Sequence, residues 1–327
     1  MDWVREAFPA ETTFLVTGAA GFIGSHLTEV LLAKGFRVRG FDNLSSSSNI
    51  KRFLKNKNFE FQLGDIRHFE SCRQACTNVD YVLHQAAWTN IAKSMEMPLA
   101  CAEHNVKGTL NLLEAAREKQ VKRFVYASCS SVYGDNEDEM KVEDRIGLPL
   151  SPYALSKLVV EQYAELYSRI YSLPTYGLRY FNVFGHYQRS DGANMPIVPK
   201  LIEQLLHKEA PVLYNYGQSI RDFTYVANVV EANLRACIAP IENAGEVFNV
   251  ACGESVTVKE LFDMVNWSLG QQIEPRLVPM QKGEVLNSLA NIEKAESVLG
   301  YTGKWRLTAG LAETIRHCVN DFKFIKG

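Results

Sequence analysis

No stretch of the 327 residues approaches the roughly 18 consecutive apolar positions that a membrane span requires. The opening MDWVREAFPA has no apolar core of signal-peptide length, so a soluble, cytoplasmic protein is expected and no membrane partner. An excess of one charge is missing too. Lys+Arg 35 against Asp+Glu 37 leaves a net charge of -2, which provides no electrostatic footprint for nucleic acid. Any anionic ligand must be gripped locally. The seven cysteines (72, 76, 101, 129, 237, 252 and 318) are odd in number, scattered, and mostly inside apolar patterns, as in a reducing compartment. Cys72 and Cys76 lie one helical turn apart with no second Cys or His pair, so no metal is expected. A G-x-S-x-G elbow is absent, and no known motif ties a histidine to a nucleophilic Ser or Cys.

What is present begins with Thr17-Gly18-Ala19-Ala20-Gly21-Phe22-Ile23-Gly24, between an apolar run (Phe14-Leu15-Val16) and an amphipathic one (Ser25 to Lys34). Strand, glycine turn and helix in this order suit a dinucleotide. A helix N-terminus exposes unpaired N–H groups, and Gly18, Gly21 and Gly24 let a pyrophosphate approach them. The spacing is G-x-x-G-x-x-G and not the commoner G-x-G-x-x-G, so context must support it. The apolar run from Phe36 to Phe41 ends in Asp42, placed to take the adenosine ribose hydroxyls. Asp42 would repel a ribose phosphate, and Asn43 stands where an NADP site would favour Arg. NAD is the expected cofactor.

Short apolar runs near 36–41, 59–63, 79–84 and 122–127 alternate with helical patterns. This predicts an α/β fold, a Rossmann-like doubly wound parallel sheet, with ligands beyond the carboxyl ends of its strands. Gly18, Asp42, Asp65, Gln85 and Ser128 follow those ends. Beyond about residue 180 prolines interrupt the pattern, so a smaller mixed α/β C-terminal substrate lobe is expected. The division predicted is 1–181 for the NAD-binding domain, with 222–252 returning to it, and 182–327 for the lobe. Long helices are predicted at 98–119 and 152–171, with apolar stripes (Val106, Leu110, Leu113, Ala116; Leu155, Leu158, Val159, Tyr163, Leu166) that suit a core or a homodimer contact equally. The acidic run 136–139 and serines 45–48 are read as a solvated loop and a turn.

Tyr153 and Lys157 stand at i and i+4 on one helix face. A phenol with a reference pKa near 10 is a poor base at neutral pH, but a fixed cation and the NAD⁺ charge both favour phenolate. The strand end Ala127-Ser128-Cys129-Ser130-Ser131 supplies small hydroxyls that can hydrogen-bond an alcohol or the carbonyl formed from it.

With these pieces the chain resembles the extended short-chain dehydrogenase/reductase family, and within it the UDP-hexose 4-epimerases. The resemblance runs through TGAAGFIGSHL at 17–27, FDNLSS at 41–46, GDIR at 64–67, HQAA at 84–87, NVKGTLNLLEAA at 105–116, SSVYGD at 130–135, SPYALSK at 151–157, LRYFNVFG at 178–185, RDFTYVANVVEANL at 221–234 and SLANIEKAESVLGY at 288–301. It implies tightly held, recycled NAD. Contacts are implied from Gly18, Gly21, Phe22, Ile23, Gly24, Asp42, Asn43, Asp65, Ile66, Gln85, Ala86, Ala87, Asn105, Tyr153, Lys157 and Tyr180. It implies a UDP-sugar held by Thr89, Ser130, Asn182, Val198, Tyr214, Arg221, Gln281, Lys282, Glu284 and Ser288. Tyr153, Lys157, Cys129 and Ser130 would be catalytic. Tyr153 would take the 4-hydroxyl proton while the C4 hydride leaves, and the 4-keto sugar would turn before reduction on its other face.

Three positions depart from the family pattern. Cys129 stands where a catalytic Ser or Thr is usual, Gln281-Lys282-Gly283-Glu284 replaces R-x-G-D, and Asn291 replaces a common Asp. Loss of that Arg removes a bidentate phosphate grip which Lys282 can replace only as a point charge. In the resembling epimerases the residue at the place of Ser288 walls the pocket near the hexose C2 substituent, so the resemblance implies that this small side chain leaves room for an N-acetyl group, in UDP-GlcNAc, UDP-GalNAc or their uronic acids. The alternative for Ser288 is a helix cap. The alternative reactions are a dehydratase or decarboxylase, and the alternative class is a non-catalytic NAD-binding protein. A 4,6-dehydratase of the family needs an Asp-Glu pair where Ser130 and Ser131 stand.

Overall fold

The computed structural model describes residues 1–45, 49–188, 195–280 and 287–326. Seven strands build one parallel sheet: Thr13–Thr17 (β1), Arg37–Asp42 (β2), Phe59–Leu63 (β3), Tyr81–His84 (β4), Arg123–Cys129 (β5), Thr175–Tyr180 (β6) and Val247–Val250 (β7). Their order is β7-β6-β5-β4-β1-β2-β3. The chain starts in the middle, winds outward through β2 and β3, and returns to the other side of β1 with β4. The crevice where the winding reverses is where such sheets bind ligands. Register brings the carboxyl ends level there: Thr17 stands opposite Phe41 on one side and His84 on the other, while Cys129 stands opposite Tyr180.

The helices relevant to the site are Phe22–Ala33 (α1), Gly108–Glu118 (α2), Pro152–Tyr171 (α3), Ile197–Leu206 (α4), Val226–Ala236 (α5) and Leu307–Lys326 (α6). One face of the sheet packs Phe14, Val16 and Leu83 with Leu27 and Leu31 of α1 and Val229 of α5. The other packs Phe124 and Tyr126 with Leu112 and Leu113 of α2 and Val160 and Ala164 of α3. Strands covered on both faces explain the apolar runs without strict alternation.

The predicted helix over 98–119 is interrupted. Pro98–Ala102 passes into a wider turn, Glu103–Lys107, before α2 resumes. This wider turn changes the helical phase, so Asn105, Gly108, Thr109, Leu112, Leu113 and Ala116 are buried, whereas Val106 and Leu110 are only half so. Helix α3 begins with the Ser151 hydroxyl accepting from Ala154 N–H (3.1 Å) and Pro152 in the first turn. Its buried face runs through Tyr153, Ala154, Ser156, Lys157, Val160 and Glu161. Leu155 and Tyr163, on the predicted apolar stripe, are instead exposed.

The remaining chain forms a lobe whose core joins Leu201, Ile202 and Leu205 of α4 to Phe223, Leu261, Phe262 and Leu311. Its small sheet orders Val256–Thr257, Ile220–Arg221, Asn287–Ala290 and Met140–Lys141. Met140–Lys141 comes from the loop after β5, and β7 lies at the main-sheet edge beside β6. The two parts are therefore interleaved. Among the described residues no helix is long and apolar enough to cross a membrane.

Candidate active site

The turn after β1 is built for a ligand that touches backbone. Gly18 has φ +66°, and a Cβ there would lie 2.7 Å from Ala86 N. A Cβ on Gly24 would lie 2.1 Å from Gly18 O, so α1 could not approach β1 this closely with any side chain at that position. Gly21 is different. A Cβ there would meet Gly18 O at 3.1 Å, and no side chain caps α1. The uncapped N–H groups at Phe22 and Ile23, bare of side chain at Gly21, suit a pyrophosphate. The residues present therefore fit a dinucleotide.

Asp42 ends β2 beside this turn. Its Oδ2 accepts from Ala20 N–H (3.0 Å) and its Oδ1 from Leu44 N–H (2.7 Å). Burial raises its pKa, and those N–H groups oppose the rise. Each oxygen retains acceptor capacity for a ribose hydroxyl. The neighbouring Asn43 and Asp65 have their side chains committed elsewhere. Asn43 Nδ2 donates to Asp65 Oδ2 (2.9 Å), and Arg67 grips Asp65 through two bonds (3.0 and 2.8 Å). Those bonds hold the Asp65 carboxyl well below its usual range. Ile66 is buried against Gly108, where a Cβ would lie 2.5 Å from Ile66 Cδ1.

Beneath the crevice two closed hydrogen-bond systems shape the floor. Gln85 Nε2 donates to Asn233 Oδ1 (3.0 Å), Asn233 Nδ2 to Tyr180 Oη (2.8 Å), and Tyr180 Oη to Gln85 Oε1 (3.1 Å). In the second, Thr109 Oγ1 donates to Asn105 O (2.6 Å), so it must accept from His84 Nε2 (2.9 Å). Nδ1 of a neutral His84 then accepts from Thr17 Oγ1 (2.7 Å), which in turn accepts from Ala86 N–H (3.2 Å). The chain of donors is complete only with an uncharged imidazole. Complete burial, with the nearby Lys157 charge, lowers His84 to about 3.

Asn105 was expected to contact cofactor, but its side chain is used up within the protein. Its Oδ1 accepts from Trp88 N–H (2.7 Å), and its Nδ2 faces Trp88 O (3.0 Å) and Ser156 Oγ (2.9 Å). It fastens the segment after β4, which carries Ala86, Ala87 and exposed Thr89, to helix α3. The wider turn at 103–107 places Asn105 inward and explains the difference.

Tyr153 and Lys157 are both buried at the carboxyl edge. Lys157 Nζ donates to Ala127 O (2.9 Å) at the end of β5, and burial lowers its pKa to about 8. The Cys129 thiol neighbours the Tyr153 phenol. Burial raises the phenol well above 10, and the Cys129 charge adds to the rise. The expectation that the neighbouring cation lowers it is not met by the chain alone. Desolvation outweighs a lysine whose ammonium is directed to the Ala127 carbonyl. Ser131 N–H donates to Cys129 Sγ (3.4 Å), which starts the turn Ser130–Tyr133. Ser131 Oγ is buried without a hydrogen-bond partner among the described residues.

A buried ion pair that sequence reading missed supports this edge. Glu161, one turn beyond Lys157, accepts two bonds from Arg179 (2.9 and 2.8 Å) and one from Ser128 Oγ (2.5 Å). The Arg179 guanidinium lies 4.9 Å from the Tyr133 ring centre, and Tyr133 Oη donates to Asn249 Oδ1 (2.6 Å). Glu161 and Arg179 resemble surface charges in sequence, and the only periodic hint is that Glu161 continues the four-residue step of Tyr153 and Lys157.

The lobe holds a cavity of about 210 Å³ lined by Asn182, Tyr214 and Arg221, three of the residues implied for the UDP-sugar, and by Ile197, Lys200, Leu201, Gln204, Val212, Leu213 and Val258. Val198 was expected here, but it is buried in the lobe core, because α4 turns positions 197, 200, 201 and 204 toward the cavity. Gln204 Oε1 is buried without a hydrogen-bond partner among the described residues. Ser288 lies in the strand Asn287–Ala290 beside Arg221, with its carbonyl accepting from Asp222 N–H (2.9 Å), so the helix-cap alternative is not met. Gln281, Lys282 and Glu284 lie outside the described residues.

His26, Glu29 and His186 bring ligand-type atoms within 4.8 Å of one another. The Arg52 guanidinium lies 3.3 Å from the same Glu29 carboxylate, so this grouping already has its cation.

The NAD dependent epimerase/dehydratase family profile matches residues 14–251. The UDP-glucose 4-epimerase from Thermotoga maritima, solved with UDP-glucose, superposes with a TM-score of 0.88 at 34% identity, over 95% of this chain and 100% of that one. The UDP-N-acetylglucosamine 4-epimerase from Methanobrevibacter ruminantium, solved with UDP-N-acetylmuramic acid, gives 0.89 at 30% identity over 95% and 99%. A dTDP-glucose 4,6-dehydratase from Streptomyces venezuelae, solved with NAD, gives 0.86 at 29% identity over 96% and 98%.

Proposed function

The chain belongs to the NAD dependent epimerase/dehydratase family and its cofactor is NAD; from that premise we propose that it catalyses 4-epimerisation of a UDP-hexose. The observation that carries this reading is the buried pair Tyr153 and Lys157 beside half-buried Cys129 at the carboxyl edge of β5, with the Arg221 cavity in the lobe. Tyr153 accepts the proton of the sugar 4-hydroxyl and later returns it. The positive charge of bound NAD⁺ and of Lys157 offsets the desolvation that raises the phenol in the chain alone. Cys129 and Ser130 hydrogen-bond the sugar oxygen as it becomes a carbonyl. The chemistry that NAD supplies when bound is acceptance and return of hydride at the sugar C4. Asn182, Tyr214 and Arg221 hold the UDP, so the hexose can turn while the nucleotide stays. A 4,6-dehydratase is disfavoured because Ser130 and Ser131, not carboxylates, follow Cys129.

The sugar is assigned from Ser288. Its small side chain, in the strand paired with Ile220–Arg221, supports room for a C2 N-acetyl group. UDP-GlcNAc, UDP-GalNAc or their uronic acids are the proposed substrates. Incubation with a panel of UDP-sugars, without added NAD, tests this. Acetylated sugars should be turned over better than UDP-glucose, and Ser288→Tyr should reverse the order. Equal kcat/KM values in the unmodified protein would overturn the assignment. A homodimer is proposed through 98–119 and 152–171, supported by Leu99 (82% exposed) and Leu155 (51%). A monomer mass by light scattering would remove it.

A further inference from the structure

The cavity wall supplied by α4 carries a cation that no motif marks. Ile197, Lys200, Leu201 and Gln204 follow the i, i+3, i+4, i+7 spacing of one helix face. The apolar members of that face attach α4 to the lobe, but Lys200 has no packing reason to be there. It is half-buried, and among the described residues its ammonium has no hydrogen-bond or ion-pair partner. Arg221 lines the same cavity, and no carboxylate is among the described lining residues. Two cations sharing a partly desolvated hollow repel one another unless a polyanion comes between them. At the same time, Gln281 stands where the resembling enzymes place a phosphate-binding Arg.

We propose that Lys200 is the second cation of the diphosphate grip, taking with Arg221 the charge that Gln281 cannot take. The proposal rests on the reading of this cavity as the UDP site. An ammonium on a flexible stem meets phosphate oxygens as a point charge, so it replaces the electrostatic part of the lost grip without its bidentate geometry. The position also differs in kind. An Arg at 281 would come from the segment before Asn287–Ala290, whereas Lys200 comes from a helix packed into the lobe core. The grip would then depend on the setting of α4.

Calorimetric titration of the NAD-loaded protein with UDP, UMP and uridine, at low and moderate salt, tests the clamp. Lys200→Met should weaken UDP binding by about tenfold, the loss expected for one charged hydrogen bond. UMP should lose less and uridine nothing, and the salt dependence of UDP binding should shrink. Gln281→Arg added to Lys200→Met should recover most of the UDP affinity. Unchanged UDP affinity in Lys200→Met would overturn the clamp, as would equal losses for UDP and uridine, which mark a packing role. Lys200→Gln repeats the measurement if the Met variant melts lower. Absence of UDP binding in the unmodified protein would overturn the nucleotide reading of the cavity, and the clamp with it.

Discussion

The edge of the main sheet and the cavity of the lobe hold their polar groups in opposite states. At the edge, the side chains of Asp42, Gln85, Asn105, Tyr180 and His84 are already hydrogen-bonded within the chain. In the cavity, the Lys200 ammonium and Gln204 Oε1 lack partners among the described residues. A site whose groups are pre-set binds with little ordering cost, which suits a cofactor that stays. A site with a cation still lacking its partner gains most when its anion arrives, and it must release that anion after each turnover. The difference assigns retention to one region and exchange to the other.

The sharpest way to separate the two regions is Tyr153→Phe. Removing the phenolic oxygen should cut turnover at least about a hundredfold, the lower range for losing a positioned acid or base. NAD content and UDP affinity should both remain, because the ring still fills its place and the lobe is untouched. Near-normal turnover would mean that another group moves the proton. Loss of NAD together with turnover would mean that the hydroxyl is part of the cofactor's hold instead.

Acid should weaken the edge through His84. Its folded pKa is depressed to about 3 from 6.5, so the neutral buried form contributes stability above 6.5 that is lost as pH falls toward 3. Between pH 7 and pH 5 this one group predicts a loss of about 2 kcal/mol, from 1.36 kcal/mol per pH unit below 6.5. Denaturant unfolding at both pH values, with His84→Gln beside the unmodified protein, measures it. The variant should lose about 2 kcal/mol less over the same interval, whatever its stability at pH 7. Identical pH slopes would show that His84 does not titrate with unfolding.

The edge was far more legible in the sequence than the cavity, and the reason is geometric. Gly18, Gly21, Gly24 and Asp42 act within one strand-turn-helix-strand unit, so their spacing along the chain is their spacing in space. The alternating apolar runs likewise located all five strands up to β5, because the inner ones are covered on both faces and the edge strand β3 keeps the apolar alternation of Phe59 and Phe61. The use of Asn105 as an internal clamp depends on the wider turn at 103–107, which leaves no composition signal. Val198 was expected at the substrate and Lys200 was passed over because helix phase was not legible: two positions apart on α4, Val198 is buried in the lobe core and Lys200 lines the cavity. The ion pair of Glu161 and Arg179 was invisible because a charge looks the same in sequence whether it is buried or wet. An i+8 step from Tyr153 through Lys157 to Glu161 was the one available clue.

Cys129 offers the finest test, because it is where the otherwise complete edge departs from the usual hydroxyl. Its sulfur accepts from Ser131 N–H at 3.4 Å and neighbours the Tyr153 phenol, where a catalytic donor is expected. A thiol is a weaker donor than a hydroxyl, and the developing charge on the sugar oxygen should reward the stronger one. Cys129→Ser should therefore raise single-turnover sugar oxidation a few-fold, about 1 kcal/mol for one improved hydrogen bond. The shorter C–O bond moves the donor back by a few tenths of an ångström, so part of that gain is lost to reach. Cys129→Ala separates the cases. If Cys129 donates, Ala slows oxidation while Ser quickens it; if Cys129 only packs, both variants oxidise at the unmodified rate and differ in melting temperature alone. The second pattern would move the hydrogen bond to Ser130, at the start of the same turn, and leave the edge complete without its thiol.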